Sequence, residues 1–284
     1  MKAADLKKLL AESGIRPLHG RSQNFLLDER VVAALVEAAG VGPGSSVVEI
    51  GPGPGILTEA LLRRGAEVVA VELDQKLCRL LHGRFAGPAL HLIEGDILDV
   101  ANARLAAAFS GAPRRDGQYS VAANLPYAVT SPVLEKFLFE APRPSGLTLM
   151  IQREVADRIL AGAGEMSSLA VMVQTLGRPR RVCDVPRSAF LPPPNVDSTV
   201  IHIALKDLPE LSVFFRGLAP EKYFAVTRRA FSQKRKQLKN SLEIFSSSGI
   251  SLKNAMVEAN IDPRSRPEEL LPEQWVLLAA ALKQ

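Results

Sequence analysis

Residues 46–62 constrain the fold of this chain more than any other stretch. Ser46-Val47-Val48-Glu49-Ile50 is apolar from Val47 on except for Glu49, the pattern of a strand buried on both faces. It enters Gly51-Pro52-Gly53-Pro54-Gly55, and Ile56 to Leu62 continues with helical spacing. A strand, a glycine turn and a helix in that order open a ligand site in α/β proteins. The glycines recur at every second residue, however, and Ile56 stands where the dinucleotide pattern G-x-G-x-x-G needs its third glycine. That disfavours a pyrophosphate cradle. What remains is a tight turn whose backbone can approach a ligand, followed by a helix N-terminus suited to a carboxylate.

The alternation continues downstream. Ala66 to Val71 reads as a second buried strand, ending at Glu72 before a helix through Leu77, Leu80 and Leu81. Leu90 to Ile93 is a third strand, ending at Glu94-Gly95-Asp96, and Tyr119 to Ala123 a fourth, ending at Asn124-Leu125-Pro126-Tyr127. Four strands alternating with helices predict a doubly wound, mostly parallel sheet with its ligand at the carboxyl ends of the strands. Glu49, Glu72, Asp96 and Asn124 all fall on that edge. Glu72, 21 positions after Gly51, stands where a ribose diol finds its acceptor, although Glu72 or Asp74 would serve equally as a helix N-terminal charge. Asp96 suits an adenine amino group or the cap of the next turn. Asn124 offers an amide oxygen, Pro126 leaves carbonyls free, and Tyr127 supplies a flat ring. These are parts for gripping the amino group of a nucleobase, though Asn-x-Pro peptides also mark ordinary turns.

Upstream, residues 19–28 form a polar approach to a helix from Glu29 to Ala39, with Asp28 as its N-cap. After Tyr127, Leu147 to Gln152 reads as a strand and Arg153 to Leu160 as a helix, while 168–176 fits either. Val182 to Val185 and Ser198 to Leu205 suit a closing antiparallel hairpin, with Pro192, Pro193 and Pro194 stiffening the connection. From Leu208 onward the pattern is helical only, at about 211–218, 220–245, 251–259 and 267–282. Thr227 to Leu242 carries six basic residues and no acid. Wound as one helix, Arg228, Arg229, Arg235, Lys236 and Lys239 share an arc of roughly 120°. A solvated face would mix signs, so this one predicts phosphate binding.

Composition sets the boundaries of these readings. The 284 residues, 47% hydrophobic, suffice for a large domain and a smaller companion. Of the net charge of +5, residues 208–284 supply +4, with 12 Lys and Arg against 8 Asp and Glu. Cys78 and Cys183 lie far apart with no metal-ligand spacing, which points to a reduced compartment and no metal. Met1 to His19 has no continuous apolar region, and no apolar run approaches a membrane span, so a cytoplasmic protein is expected.

In order along the chain, Gln23-Asn24-Phe25-Leu26, the glycine turn of 48–55, Glu72-Leu73-Asp74, Gly95-Asp96 and Asn124-Leu125-Pro126-Tyr127 resemble the motifs of the RNA adenine dimethyltransferases of the KsgA kind. The resemblance extends through Phe190-Leu191-Pro192-Pro193-Pro194-Asn195-Val196-Asp197-Ser198 and Arg228 to Lys236. It implies a Rossmann-like, seven-stranded methyltransferase sheet in residues 1–207, binding S-adenosylmethionine, and a small all-helical RNA-binding domain in 208–284. It further implies that Asn24, Leu26, Gly51, Glu72, Asp96 and Asn124 line the cofactor site, with Glu72 on the ribose hydroxyls and Asp96 on the adenine amine. The implied substrate is a pair of adjacent adenosines near the 3′ end of small-subunit rRNA, free or in an immature particle, met by a monomeric enzyme. Two alternatives stand beside it: a large-subunit rRNA methyltransferase of the macrolide-resistance kind, and a ribosome-assembly factor whose main task is binding. The chain departs from the family pattern at Ala128, where another Asn is usual, and across Glu165 to Leu169.

The chemistry that such a substrate demands follows from its nitrogen. The lone pair of an exocyclic adenine amine is delocalised into the ring, while a methyl sulfonium is already a strong electrophile. Acceptors at Asn124 and at the carbonyl of Leu125 or Pro126 would hold both N–H groups and free the lone pair. Tyr127, with Phe190 on the opposite face, would stack on the base. No general base is needed before transfer, and none of the four histidines lies in a motif.

Overall fold

The structure is a computed structural model that describes residues 3–15, 24–233, 236–245 and 252–282. The chain divides into two compact units, Met1–Ala156 with Arg180–Leu205, and Asp157–Pro179 with Lys206–Gln284. Among the described residues no helix is long and apolar enough to cross a membrane.

In the first unit the elements run α1 (Ala3–Glu12), β1 (Phe25–Leu26), α2 (Glu29–Ala38), β2 (Ser46–Ile50), α3 (Ile56–Arg63), β3 (Glu67–Glu72), α4 (Gln75–Arg84), β4 (Leu90–Glu94), α5 (Asn102–Ala107), β5 (Ser120–Asn124), α6 (Thr130–Phe139) and β6 (Gly146–Gln152). After α7 (Arg153–Ile159) and α8 (Ser168–Leu176) come β7 (Gly177–Val185), β8 (Phe190–Leu191) and β9 (Ser198–Leu205). Seven strands form the expected sheet in the order β4-β3-β2-β5-β6-β9-β7. The pairs β3–β4, β2–β3, β2–β5 and β5–β6 are parallel, and β9 runs antiparallel to β6. The chain winds outward from β2 to β4 and then returns to lay β5 on the other side of β2. That reversal opens a crevice above the carboxyl ends of β2 and β5.

Every residue of β2 is buried, which is why its sequence is apolar on both faces. On one face Leu35 of α2 and Leu61 of α3 pack against Val68, Ala70, Ala122 and Met150, taken at alternate positions of their strands. Asp28 caps α2, its Oδ1 accepting the N–H of Arg30 at 2.9 Å. The helix α1 lies in the stretch before His19 that has no continuous apolar region and to which the sequence assigns no element. Its Leu6 and Leu10, one turn apart, join Ile15, Phe25 and Leu77 in a small cluster, and Lys76 Nζ donates to the carbonyl of Gly14 at 3.1 Å.

The second unit adds α9 (Leu208–Phe215), α10 (Pro220–Phe231), α11 (Leu238–Ser241), α12 (Leu252–Glu258) and α13 (Pro272–Ala281). Residues 157–179, which the boundary at 207/208 assigns to the first domain, cluster with these helices. The stretch 168–176 resolves as helix α8, capped by Ser167, and Thr175 Oγ1 lies 2.7 Å from the hydroxyl of Tyr223 in α10. The ring of Tyr223 packs edge-on against Phe215 and Phe224, and Trp275 of α13 sits against Phe231, ring centroids 5.8 Å apart.

The single helix expected over 220–245 is not present. The first segment, α10, ends at Phe231, and the chain resumes as α11 only at Leu238, whose N–H bonds to Ser265 O at 2.9 Å. Between the buried Phe231 and Leu238 stand six polar residues, three of them adjacent cations. A turn and a half without an apolar anchor, carrying neighbouring like charges, offers a helix little to be held by. The shared arc of five cations is therefore lost. Arg228, Lys236 and Lys239 are exposed, whereas Arg229 is half-buried and donates through Nε to Ser241 O at 3.2 Å, tying α10 to α11. Arg235 lies outside the described residues.

Candidate active site

A cavity of about 480 Å³ opens at the carboxyl ends of β2, β3 and β5, lined entirely by the first unit. Its floor is the glycine turn. Gly53 and Gly55 have φ of +58° and +85°, the left-handed region. A Cβ on Gly53 would meet the Phe25 ring at 3.2 Å, and one on Gly55 would meet the Phe85 ring at 2.5 Å. The turn is pinned from α4 as well, because Arg84 donates to the carbonyl of Pro54 and, at 2.7 Å, to Glu59.

Glu72 ends β3 buried at the side of this turn. Its Oε2 accepts the N–H of Gly53 at 3.0 Å and its Oε1 that of Asp74 at 2.9 Å. Burial raises its pKa, and those backbone N–H groups partly offset the rise. Asp74 takes the capping role instead, accepting Lys76 N–H at 2.8 Å. Both acids line the cavity, but the helix cap falls to Asp74 alone. Asp96 does not line the cavity, and its Oδ1 accepts the N–H of Leu98 at 2.9 Å, capping the next turn.

On the far side, Asn124 ends β5 and donates through Nδ2 to the carbonyl of Asn24 at 3.1 Å. A carbonyl can only accept, so the amide is oriented with its oxygen left as the acceptor. Pro126 O accepts the N–H of Val129 at 3.1 Å as the chain enters a single 3-10 turn, Tyr127–Val129. The hydroxyl of Tyr127 lies 3.1 Å from Ser198 Oγ. Ser198 is held in turn by its neighbour Asp197, whose Oδ1 accepts Arg187 N–H at 3.0 Å and whose carbonyl accepts Arg153 N–H at 3.1 Å. Phe190 reaches the same cavity because β8 pairs antiparallel with β1, Leu26 opposite Phe190.

The cavity therefore gathers Asn24, Leu26, Gly51, Glu72, Asn124, Pro126, Tyr127 and Phe190, all singled out by sequence, and leaves Asp96 outside its lining. Three others in the lining had no role assigned by sequence. Phe25 and Leu73 are apolar walls, Leu73 with 62% of its surface exposed. The third, Glu49, is 1% exposed, and burial pushes its pKa up to about 8. A lone acid in an otherwise apolar strand was the signal for it. The acceptor set suits a ligand with a ribose diol and positive charge: the acids Glu49, Glu72 and Asp74 line the cavity, and the buried Oε2 of Glu49 makes no full hydrogen bond.

Residues 20–284 match the family model described as ribosomal RNA adenine dimethylase. The chain is 39% identical to the ribosomal RNA small subunit methyltransferase A of Moorella thermoacetica, over 97% of this chain and 96% of that one. Among solved structures, it resembles the 23S rRNA methyltransferase ErmE with a TM-score of 0.72 and 27% identity, over 92% of this chain and 100% of that one. A dimethyladenosine transferase from Plasmodium falciparum gives 0.73 and 24%, over 89% and 95%, a likeness of fold.

Proposed function

The chain belongs to the ribosomal RNA adenine dimethylase family, and on that premise we propose that it transfers methyl groups from S-adenosylmethionine to the amino groups of two adjacent adenosines near the 3′ end of small-subunit rRNA, in the cytoplasm. The observation that carries this reading is one cavity that holds both a buried ribose acceptor, Glu72, and an oriented amide acceptor followed by a half-buried aromatic ring, Asn124 and Tyr127. The relatives named for the small subunit match over nearly the whole chain at higher identity than the 23S enzyme, which favours the small-subunit substrate.

The chemistry supplied by S-adenosylmethionine, when bound, is an electrophilic methyl on a sulfonium. The residues of the chain do the rest. Glu72 accepts the ribose hydroxyls while the N–H groups of Gly53 and Asp74 hold its charge in place. Asn124 Oδ1 accepts one N–H of the target amine. The second goes to the main-chain carbonyl of Leu125 or of Pro126, the latter having one lone pair already engaged by Val129 N–H. Holding both protons favours a pyramidal nitrogen with its lone pair aimed at the methyl. Tyr127, its hydroxyl fixed by Ser198, stacks on the extruded base against Phe190. Arg228, Lys236 and Lys239 contact phosphates from the second unit.

Incubating the protein with labelled S-adenosylmethionine and undermethylated small subunits, then mapping the product, tests this. Label on two adjacent adenosines near the 3′ end is expected. Label confined to large-subunit RNA would replace the substrate, and tight subunit binding without label would leave an assembly factor.

A further inference from the structure

Glu49 has no part in the chemistry above. It is the single charged residue of β2, lines the cavity, and its Oε2 has no hydrogen-bond partner. Thr58 Oγ1, fully buried in the first turn of α3, lies beside this carboxyl and lowers its pKa without the geometry of a full hydrogen bond. Leaving a carboxylate oxygen and a hydroxyl short of a full hydrogen bond at such depth is costly. A chain that keeps them gains something from them when the cavity is filled.

We propose that Glu49 lets the cavity read the charge of its occupant: it gives up a proton to solvent when cationic S-adenosylmethionine binds and keeps that proton when the neutral demethylated thioether binds. This rests on the cofactor assignment above. The cofactor carries a sulfonium, an ammonium and a carboxylate, hence one net positive charge, and methyl transfer removes the sulfonium charge. Two carboxylates sharing an apolar enclosure do not both ionise readily, and one of them keeps a proton. Glu72 is the better placed to stay ionised, with two backbone N–H groups on its oxygens. On Glu49, burial is the largest cause, and with the charge of Glu72 it outweighs the hydroxyl and N–H of Thr58, which lower the pKa, so that the pKa is pushed up to about 8.

Among the described residues, Glu72 of β3 is the charged group acting on Glu49, and Asp74, the N-cap of α4, is the other acid that lines the cavity. Leu35 of α2, Thr58 of α3 and Asn124 of β5 bring no charge to Glu49. The arriving ligand therefore decides its ionisation. A cation lowers a neighbouring carboxyl by about one to three pKa units, enough to ionise it near neutrality. Discrimination follows from linkage: a ligand that selects the ionised form gains affinity as pH rises toward the pKa of the empty site, and one that does not gains nothing.

The test is calorimetry near pH 6.5, where the ligand's own amine is protonated, in buffers of differing ionisation enthalpy. Close to one proton released per S-adenosylmethionine is expected, and close to none with S-adenosylhomocysteine. Between about pH 6 and 7, affinity for the first should rise roughly tenfold while that for the second stays nearly constant. In Glu49→Gln the release should vanish and the preference for the charged ligand should fall roughly tenfold. Equal release by both ligands in the unaltered protein, or none by either, overturns the proposal without any variant. Release that persists in Glu49→Gln assigns the proton to another group and overturns it too. Failure of both ligands to bind is a different result, and sinks the cofactor assignment itself.

Discussion

Asn124 Nδ2 donates to the main-chain oxygen of Asn24 across 3.1 Å and 100 residues of sequence. The bond decides which end of the amide is left free at the cavity. Asn124→Asp keeps the shape but sets an acceptor against the Asn24 carbonyl, and Asn124→Ala removes the acceptor altogether. Each should lower methyl transfer by about 100-fold or more in single-turnover assays, with RNA affinity unchanged. A parallel loss of RNA binding would show that the RNA is not held by the second unit.

Glu72→Gln should weaken S-adenosylmethionine binding by roughly 10- to 100-fold, since hydrogen bonds to a charged acceptor contribute about 1.5–3 kcal/mol. Glu72→Ala should do so and also lower the melting temperature, because Gly53 and Asp74 lose the acceptor of their N–H groups. Calorimetry and thermal unfolding, run together, separate the two effects. Unchanged affinity in both variants would remove Glu72 from the site.

Tyr127→Ala should cost about 1–3 kcal/mol of stacking on the target base. Tyr127→Phe keeps the ring and loses only the link to Ser198 Oγ, so its turnover should fall severalfold, and Ser198→Ala should match it. A full loss in Tyr127→Phe would mean that the hydroxyl takes part in the reaction.

Replacing Arg228, Lys236 and Lys239 by Gln should make the slope of log affinity for small-subunit particles against log salt shallower by roughly 2–3 units, at ~0.7–0.9 for each phosphate no longer neutralised. Arg229→Gln should behave differently and lower thermal stability, because its Nε holds Ser241 O. An unchanged slope in the triple variant would mean that these charges face solvent alone.

Of the edge strand β7, half-exposed and rich in Arg, the sequence showed only the end, Val182 to Val185. The middle of the sheet was legible because β2, β3, β5 and β6 are buried enough to be written mostly in Val, Ile, Leu and Ala. The strand ends were legible for the complementary reason: Glu72 and Asn124 interrupt those runs where the crevice opens. What sequence did not disclose depended on partners distant along the chain. The choice between Glu72 and Asp74 is made by the N–H of Gly53, and the helix α1 by Phe25 and Leu77. The break after Phe231 escaped because Phe231, Leu238 and Leu242 fall on one helical stripe whether or not the helix is continuous, so periodicity alone had no means of finding the gap.

The two-residue pairing of β1 with β8, Phe25 opposite Leu191 and Leu26 opposite Phe190, bears on the order in which the protein is made. Synthesis delivers Asn24 to Leu26 first and their partners only after most of the first unit has emerged. Until residue 191 leaves the ribosome, that wall of the cavity has no strand to pair with, whatever the state of the sheet behind it. The closure is a long-range pairing of the kind that forms late and slowly. A nascent chain cut before Phe190 is therefore expected to carry the glycine turn and both acids yet hold S-adenosylmethionine poorly, so that competence arrives near the end of translation of this unit rather than growing with length.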